Sequence, residues 1–228
     1  MGAMKMRLCL ISLVVMFAGV IESEAQSAAT LPREDTHYWH EFQLTVPMRE
    51  KVDLNVFGAI RVGRGITKLV DERIGAGLAF KLNRRFTLQP RYFFVDRQAF
   101  TGGTNYEHRL IVEGIVRFFP GKFSLTDRYR VERRFRLSRA DAWIYRNRFQ
   151  VEYPVRIGGS EFRPYVSSEV YYDTGPRAWT RHRFFIGFIK EFDKRVSGEF
   201  FYLRQNDGRS RPGDLHVIGT LLRIKLRE

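Results

Sequence analysis

Cysteine is almost absent. The one cysteine in 228 residues, Cys9, lies in the N-terminal apolar run. Beyond that run the chain has no thiol, which excludes disulfides, thiolate metal sites and a cysteine nucleophile there. Long apolar stretches are missing after Ile21, so no later segment approaches the ~20 residues of a transmembrane helix. Catalytic motifs are scarce too. The phospholipase pattern His-x-Ser-Asn-Gly does not occur: His108 is followed by Arg109-Leu110 and His216 by Val217-Ile218. No His-x-x-x-His pair suits a helix, and His37 and His40 fall in opposite phases of a strand, where they would not share a metal. Gly63-Arg64-Gly65 and Gly102-Gly103 read as turns, because the strand-to-helix step of a phosphate loop is lacking. No cofactor, metal or catalytic residue is expected.

The N-terminus carries the three-part grammar of a secretory signal. Lys5 and Arg7 form a basic region, Leu8 to Ile21 an apolar run, and Ser23-Glu24-Ala25 a small-x-small cleavage pattern before Gln26. A retained anchor fits less well, because the run is short and the cleavage pattern follows at once. Cys9 precedes that point by too far to be a lipoprotein cysteine. The expectation is a signal over 1–25, a leading segment over 26–35 and one barrel domain over 36–228. The formal charge of +14 raises a nucleic-acid reading. The exported address and the absence of any nucleic-acid motif argue against it. The basic residues are mostly Arg, 31 of 39, and they are dispersed, not clustered in a tail. Arg has a planar fork suited to pairing with carboxylates in confined space.

What fills the chain after residue 36 is alternation. Eleven candidate strands follow one another: roughly 36–46, 51–62, 70–82, 85–96, 104–118, 122–134, 142–155, 161–173, 180–192, 195–205 and 214–226. In the seventh, Tyr145, Phe149, Val151 and Tyr153 alternate with Arg146, Arg148, Gln150 and Glu152. In the fifth, Tyr106, Leu110, Val112, Val116 and Phe118 alternate with Glu107, Arg109, Glu113 and Arg117. In the fourth and ninth the phase is less clean, with Phe93, Val95, Phe185 and Ile189 in the polar set. Side chains of period two require one apolar and one polar environment along each strand. Short connections such as Asn83-Arg84, Pro120-Gly121, Gly158-Gly159 and Asp193-Lys194 alternate with longer ones at 97–104, 135–141, 174–179 and 206–213. This is the pattern of short periplasmic turns and longer external loops.

The fold class expected is all-β, an antiparallel up-and-down transmembrane β-barrel of 10–12 strands. Eleven is an awkward count, since single-chain bacterial barrels normally have an even number. The rival is a soluble exported barrel or sandwich, lipocalin-like, with the faces reversed. Strand length favours the membrane version. So do the aromatics near segment ends, Tyr38, Trp39, Trp143, Tyr145, Tyr153, Trp179 and Tyr202, which suit interface girdles. Gly219, Leu222 and Ile224 resemble the spacing of an outer-membrane C-terminal signal, although the chain ends Lys225-Leu226-Arg227-Glu228 without a terminal aromatic.

Several phrases carry a family resemblance. They are His37-Tyr38-Trp39-His40-Glu41-Phe42, the run from Asp127 to Phe135, the run from Tyr145 to Tyr153, and Arg211 to Asp214. Over nearly the whole mature chain the sequence resembles the domain of unknown function 2490 family. The resemblance implies an outer-membrane-type β-barrel and supplies no catalytic residues.

The charged stripe is the constellation that remains. Arg109, Glu113, Arg117, Arg130, Glu132, Arg134, Arg146, Arg148, Glu152, Arg181 and Arg183 are expected to line one lumen. Opposite charges on neighbouring strands can cross-pair at roughly 5 Å. Such a lumen is either filled by salt bridges, as small barrels are, or a narrow, net-positive pore that favours small anions. Arg97, Arg177, Arg209 and Arg211 are read as external, suited to phosphates of surface lipid. The expected address is the outer membrane of a Gram-negative bacterium. The expected partners are outer-membrane lipid, lipopolysaccharide and the barrel-assembly machinery, with no nucleic acid; the oligomeric state is open. The function expected is non-enzymatic. A lipid-modifying enzyme is the rival from another class, and a His–Ser pair at the outer rim would discriminate it. Asn105-Tyr106-Glu107-His108 is the one local cluster worth naming, with a polar strand entrance as its plainer meaning. A soluble lipid-binding barrel is the third class.

Overall fold

The computed structural model describes residues 31–100, 102–137 and 140–226; the expected signal and residues 26–30 lie outside the described residues. Among the described residues twelve strands are formed. They are β1 (Glu34–Arg49), β2 (Val52–Gly63), β3 (Lys68–Lys81), β4 (Phe86–Gln98), β5 (Thr104–Phe118) and β6 (Ser124–Arg136). Then come β7 (Ala142–Glu152), β8 (Val155–Ile157), β9 (Ser160–Asp173), β10 (Ala178–Glu191), β11 (Val196–Asp207) and β12 (Asp214–Lys225). Every one of the eleven expected segments has its strand. β8 is an additional stub paired with the start of β9.

Eleven strands close into a ring, each next to its sequence neighbour, with β8 outside the circuit. All pairings are antiparallel except the closing one. There β1 and β12 run parallel, in register from Glu34↔Asp214 to Thr45↔Lys225. The expectation of a wholly antiparallel barrel is corrected at this seam. In an up-and-down ring an odd count brings first and last strands together in the same direction. The parallel seam is therefore the geometric consequence of eleven. Closure also removes every sheet edge from the ring.

The upper rim carries the β2–β3, β4–β5, β6–β7, β9–β10 and β11–β12 connections, and β1 and β12 both start there. The lower rim carries 50–51, 82–85, 119–123, 192–195 and the β8 hairpin. The expected contrast between short and long connections shrinks. β4, β6 and β11 each run two residues further than the alternation indicated, to Gln98, Arg136 and Asp207. Arg97, Arg136 and Asp207 continue the inward charged phase there. Polarity in those stretches marked more strand, not loop.

Bulges and prolines sit where the ladders allow them. β3 and β10 each carry a bulge at the upper rim, between their pairings at Leu69 and Asp71 and at Trp179 and Arg181. Pro90 lies where the β3–β4 register skips, and Pro164 where β9 passes from β7 to β8. Both are positions that need no regular donor. Inside, large rings lie over glycines of the next strand. Gly219 faces Phe201 and Gly75 faces Phe93, and a Cβ on Gly219 would fall 2.1 Å from the Phe201 ring.

Candidate functional site

Burial alternates along each strand, so the two faces can be read directly. In β5, Glu107, Arg109, Ile111, Glu113 and Ile115 are buried, while Leu110 and Val112 are exposed. In β7, Ala142, Ile144, Arg146 and Glu152 are buried, while Trp143 and Phe149 are exposed. The charged phase is thus the inner one and the apolar phase the outer one.

The inner charges form a connected network. Glu113, with no exposed surface, meets Arg91 and Arg130 and lies 3.6 Å from Arg128; Arg130 Nε donates to it at 2.6 Å. Glu132, also fully buried, accepts from Arg134 Nε at 2.9 Å and from Arg146 Nη1 at 2.6 Å. Arg146 Nη2 donates to Glu169 at 2.8 Å, and Arg128 reaches the same carboxylate at 3.3 Å. The Tyr171 hydroxyl donates to Glu169 at 2.9 Å and accepts from Arg183 Nη1 at 2.5 Å. Arg183 then donates to Gln205 at 2.8 Å. Each carboxylate is shared by two or more guanidinium groups. Such sharing is what allows charges to be buried without a prohibitive desolvation penalty.

A second cluster occupies the upper part of the lumen. Asp71 accepts from Arg73 Nη2 at 2.9 Å and Arg97 Nε at 3.2 Å, with Arg61 at 3.8 Å. Glu107 accepts from Arg109 Nε at 2.9 Å, with Arg97 at 3.5 Å and Arg136 at 3.8 Å. Arg97 belongs to the lumen wall here, not to the external arginines. Its acidic neighbours lie two strands apart, and that is invisible in its own loop-like sequence. Arg181 pairs with Asp207 at 2.9 Å near the same rim.

The remaining candidates lie lower. Arg148 donates to Ser167 at 2.9 Å and Gln150 at 2.8 Å, and its guanidinium stacks 4.1 Å above the Phe185 ring. Arg117 donates to Thr87 at 3.2 Å. Glu152 accepts from Gln150 at 2.7 Å, with Arg163 at 3.9 Å. Sequence reasoning missed Asp71, Arg73, Arg91, Glu169 and Tyr171. A signal existed for some of these. Asp71-x-Arg73, Glu107-x-Arg109 and Glu132-x-Arg134 repeat one acid-x-Arg step, which puts both groups on one face of a strand.

Another part of the lumen is apolar, while Asp53, Asn55 and Glu199 are buried polar groups elsewhere in it. Trp39, Tyr165, Phe185, Ile189, Phe201, Leu203, Leu215 and Val217 form one buried cluster on β1 and β9–β12. Trp39 therefore leaves the expected girdle. It is 3% exposed and lies under the Arg61 guanidinium at 3.6 Å, at the border between the two regions. The other girdle candidates are outward, and Tyr145, Tyr172 and Trp179 meet edge to face near the upper rim.

Outside, exposed Ile74, Leu110, Val112, Val131, Phe149, Val166, Phe184, Ile186, Phe200 and Ile218 run around the wall. The outward charges Glu72, Asp96, Asp127, Arg133, Lys190 and Arg204 all sit near strand ends. Outward histidines are each hydrogen-bonded: His40 to Thr220 at 2.8 Å, His108 to Tyr92 at 2.7 Å, His216 to Tyr202 at 2.6 Å, and His182 to Ser168 at 2.9 Å. The Asn105–His108 cluster divides, with Tyr106 and His108 outward and Glu107 inward.

A family model described as Protein of unknown function (DUF2490) matches residues 36–216. No curated protein matches the chain.

Proposed function

We propose, for a chain that belongs to the DUF2490 family of proteins of unknown function, that the barrel spans the bacterial outer membrane with its lumen closed by ion pairs. The observation that carries this is the polarity of the wall, with buried carboxylates and guanidiniums inside and exposed aliphatic and aromatic side chains outside. A water-soluble barrel has the opposite arrangement. Strands of the ring run from 11 to 16 residues, enough for the 9–11 of a tilted crossing. The uncharged central band and the upper Tyr/Trp cluster suit hydrocarbon and interface respectively.

Glu113 and Glu132 have no exposed surface, which supports a filled lumen over an open one. The interior is then structural, performing no chemistry, and assembly falls to the barrel-assembly machinery. Arg177, Arg209 and Arg211, in upper-rim connections, suit phosphates of lipopolysaccharide. A second reading, a narrow path for small anions, draws on Arg117 and Arg148, whose hydrogen bonds go to neutral groups. The test is fractionation of the expressed protein with heat-modifiable gel mobility, followed by reconstitution in a planar bilayer. Recovery in outer membranes with no conductance is expected. Release into the soluble periplasmic fraction overturns the membrane reading, and anion-selective conductance replaces the filled lumen with the second reading.

A further inference from the structure

Most inward arginines touch a carboxylate, and one level of the lumen is the exception. Across β5–β7 guanidiniums stand directly opposite one another: Arg109 faces Arg134, Arg130 faces Arg146, and Arg128 faces Arg148. Like charges so placed repel. The two upper pairs are neutralised by acids in hydrogen-bond contact. Arg109 and Arg134 donate to Glu107 and Glu132, each at 2.9 Å, and Arg130 and Arg146 to Glu113 and Glu132, each at 2.6 Å. The lowest pair is different. Arg148 forms no ion pair among the described residues and donates to Ser167 and Gln150. Arg128 reaches Glu169 at 3.3 Å, but Arg146 already holds that same oxygen at 2.8 Å. Its other acid, Glu113 at 3.6 Å, is shared with Arg91 and Arg130.

Arg117 completes the set. It stands opposite Thr126, which stands opposite Gln150, so these three form an inward row directly beneath Arg128 and Arg148. Arg117 also forms no ion pair among the described residues, and donates to Thr87 at 3.2 Å. The Thr126 hydroxyl has no hydrogen bond among the described residues. In the next row down, Glu152 accepts from Gln150 at 2.7 Å and lies 3.9 Å from Arg163. Three cations thus surround a free hydroxyl with too little negative charge between them. All three point inward yet keep part of their surface exposed, 23% for the Arg128 side chain, so they face open space. Glu113 and Glu132 above them have no exposed surface. The row lies within three residues of the lower ends of β5, β6 and β7. From this geometry we propose that the lower mouth of the lumen is a binding site for the phosphate group of a small water-soluble solute. Arg117, Arg128 and Arg148 hold the phosphate oxygens and Thr126 donates to one of them. A phosphate dianion supplies the missing charge, and its oxygens match guanidinium forks in a way that a chloride cannot. The barrel wall stands between this site and lipid, so the solute arrives through water at the lower rim. The proposal rests on the filled-lumen reading, which makes the space a dead end and not a path.

The test titrates the full barrel, refolded in phosphate-free alkyl-glucoside micelles, with inorganic phosphate, glycerol phosphate or phosphatidic acid. Ionic strength is held constant with chloride, and calorimetric binding and the urea midpoint are read. Inorganic phosphate and glycerol phosphate should bind and raise the midpoint, as a ligand of the folded state does; chloride alone should not. Arg117→Gln and Arg148→Gln should each weaken binding by about tenfold or more, and Thr126→Val by about threefold. Neither arginine has an acid to strand, so both variants should keep the wild-type midpoint without phosphate and lose its rise with phosphate. Arg84→Gln removes an exposed lower-rim arginine and should bind as the wild type does. A wild-type midpoint indifferent to phosphate overturns the site, and so does binding that survives both arginine substitutions. Binding of phosphatidic acid alone overturns the assignment to a water-soluble solute. Planar-bilayer conductance separates the two readings. Phosphate binding in a conducting barrel fails the filled lumen alone, and a non-conducting barrel without binding fails the site alone.

Discussion

Glu113 and Leu203 are both without exposed surface, yet their surroundings differ completely. Glu113 sits among Arg91, Arg128 and Arg130. Leu203 sits in a cluster with Trp39, Phe185, Phe201 and Val217. The lumen is thus filled in two ways, by shared ion pairs, densest along β3–β7, and by an apolar cluster on β1 and β9–β12, where the Arg181–Asp207 and Arg223–Glu199 pairs also lie. In a packed cluster a deletion costs what the void it leaves costs. In an ion-pair network one lost carboxylate also leaves several guanidiniums facing each other. The charged region is therefore the more specific and the more fragile of the two.

The sharpest way to break this contrast is Glu113→Leu. It should cost about 3–5 kcal/mol, the usual penalty for stranding a buried partner, read as a lower urea midpoint for refolding into vesicles. Adding Arg130→Met should recover part of that loss, which deletion in a packed cluster never does. Recovery of nothing would show that the charges act independently. Leu203→Ala, the matching deletion on the other side, should cost about 2–5 kcal/mol by cavity formation, with no partner substitution that restores it.

A smaller effect tests the inner and outer faces of one strand. Phe149→Arg puts a charge on the outer wall and, on the proposed membrane reading, should cost about 2–4 kcal/mol. Arg148→Gln, one residue away on the inner face, should stay within about 1 kcal/mol, since Arg148 bonds only neutral groups. Equal tolerance of the two would reverse the assignment of faces.

The smallest effect separates two sister turns at the lower rim. Asn83 Oδ1 accepts from the Arg85 and Phe86 N–H groups at 2.8 and 2.9 Å. Asp193 Oδ1 accepts from Arg195 and Val196 at 2.6 and 2.8 Å. These two N–H donors hold the Asp193 carboxyl below its ordinary value of 3.8. Its contribution is complete above that ordinary value and is lost as pH falls through the lowered one. Unfolding midpoints followed from neutral pH into acid should drop slightly further in the wild type than in Asp193→Asn, which makes the two turns alike.

Much of the barrel was legible in the chain. Alternation placed each ring strand to within a few residues and assigned Arg146, Arg148 and Phe149 to their faces. The weak points were positions where polarity has two meanings. Arg97 read as loop because an inward arginine at a strand end looks like a solvated one. Trp39 read as girdle because position near a segment end does not reveal phase. Phe185 and Ile189 looked like errors of phase. They are the apolar part of the lumen, which alternation alone treats as a contradiction.

Side-chain period two is a local property, so sequence by itself determined where the ring strands lie to within a few residues, their number to within 10–12, and the charged face of those with a clean phase. Contacts between strands are not local. Which guanidinium meets which carboxylate, that β1 and β12 close in parallel, that the lumen divides into an ionic and an apolar region, and that Ser168 meets His182 across two strands all depend on register and closure. Only the tertiary structure decided these, because a ring of strands brings together residues whose spacing along the chain carries no common period.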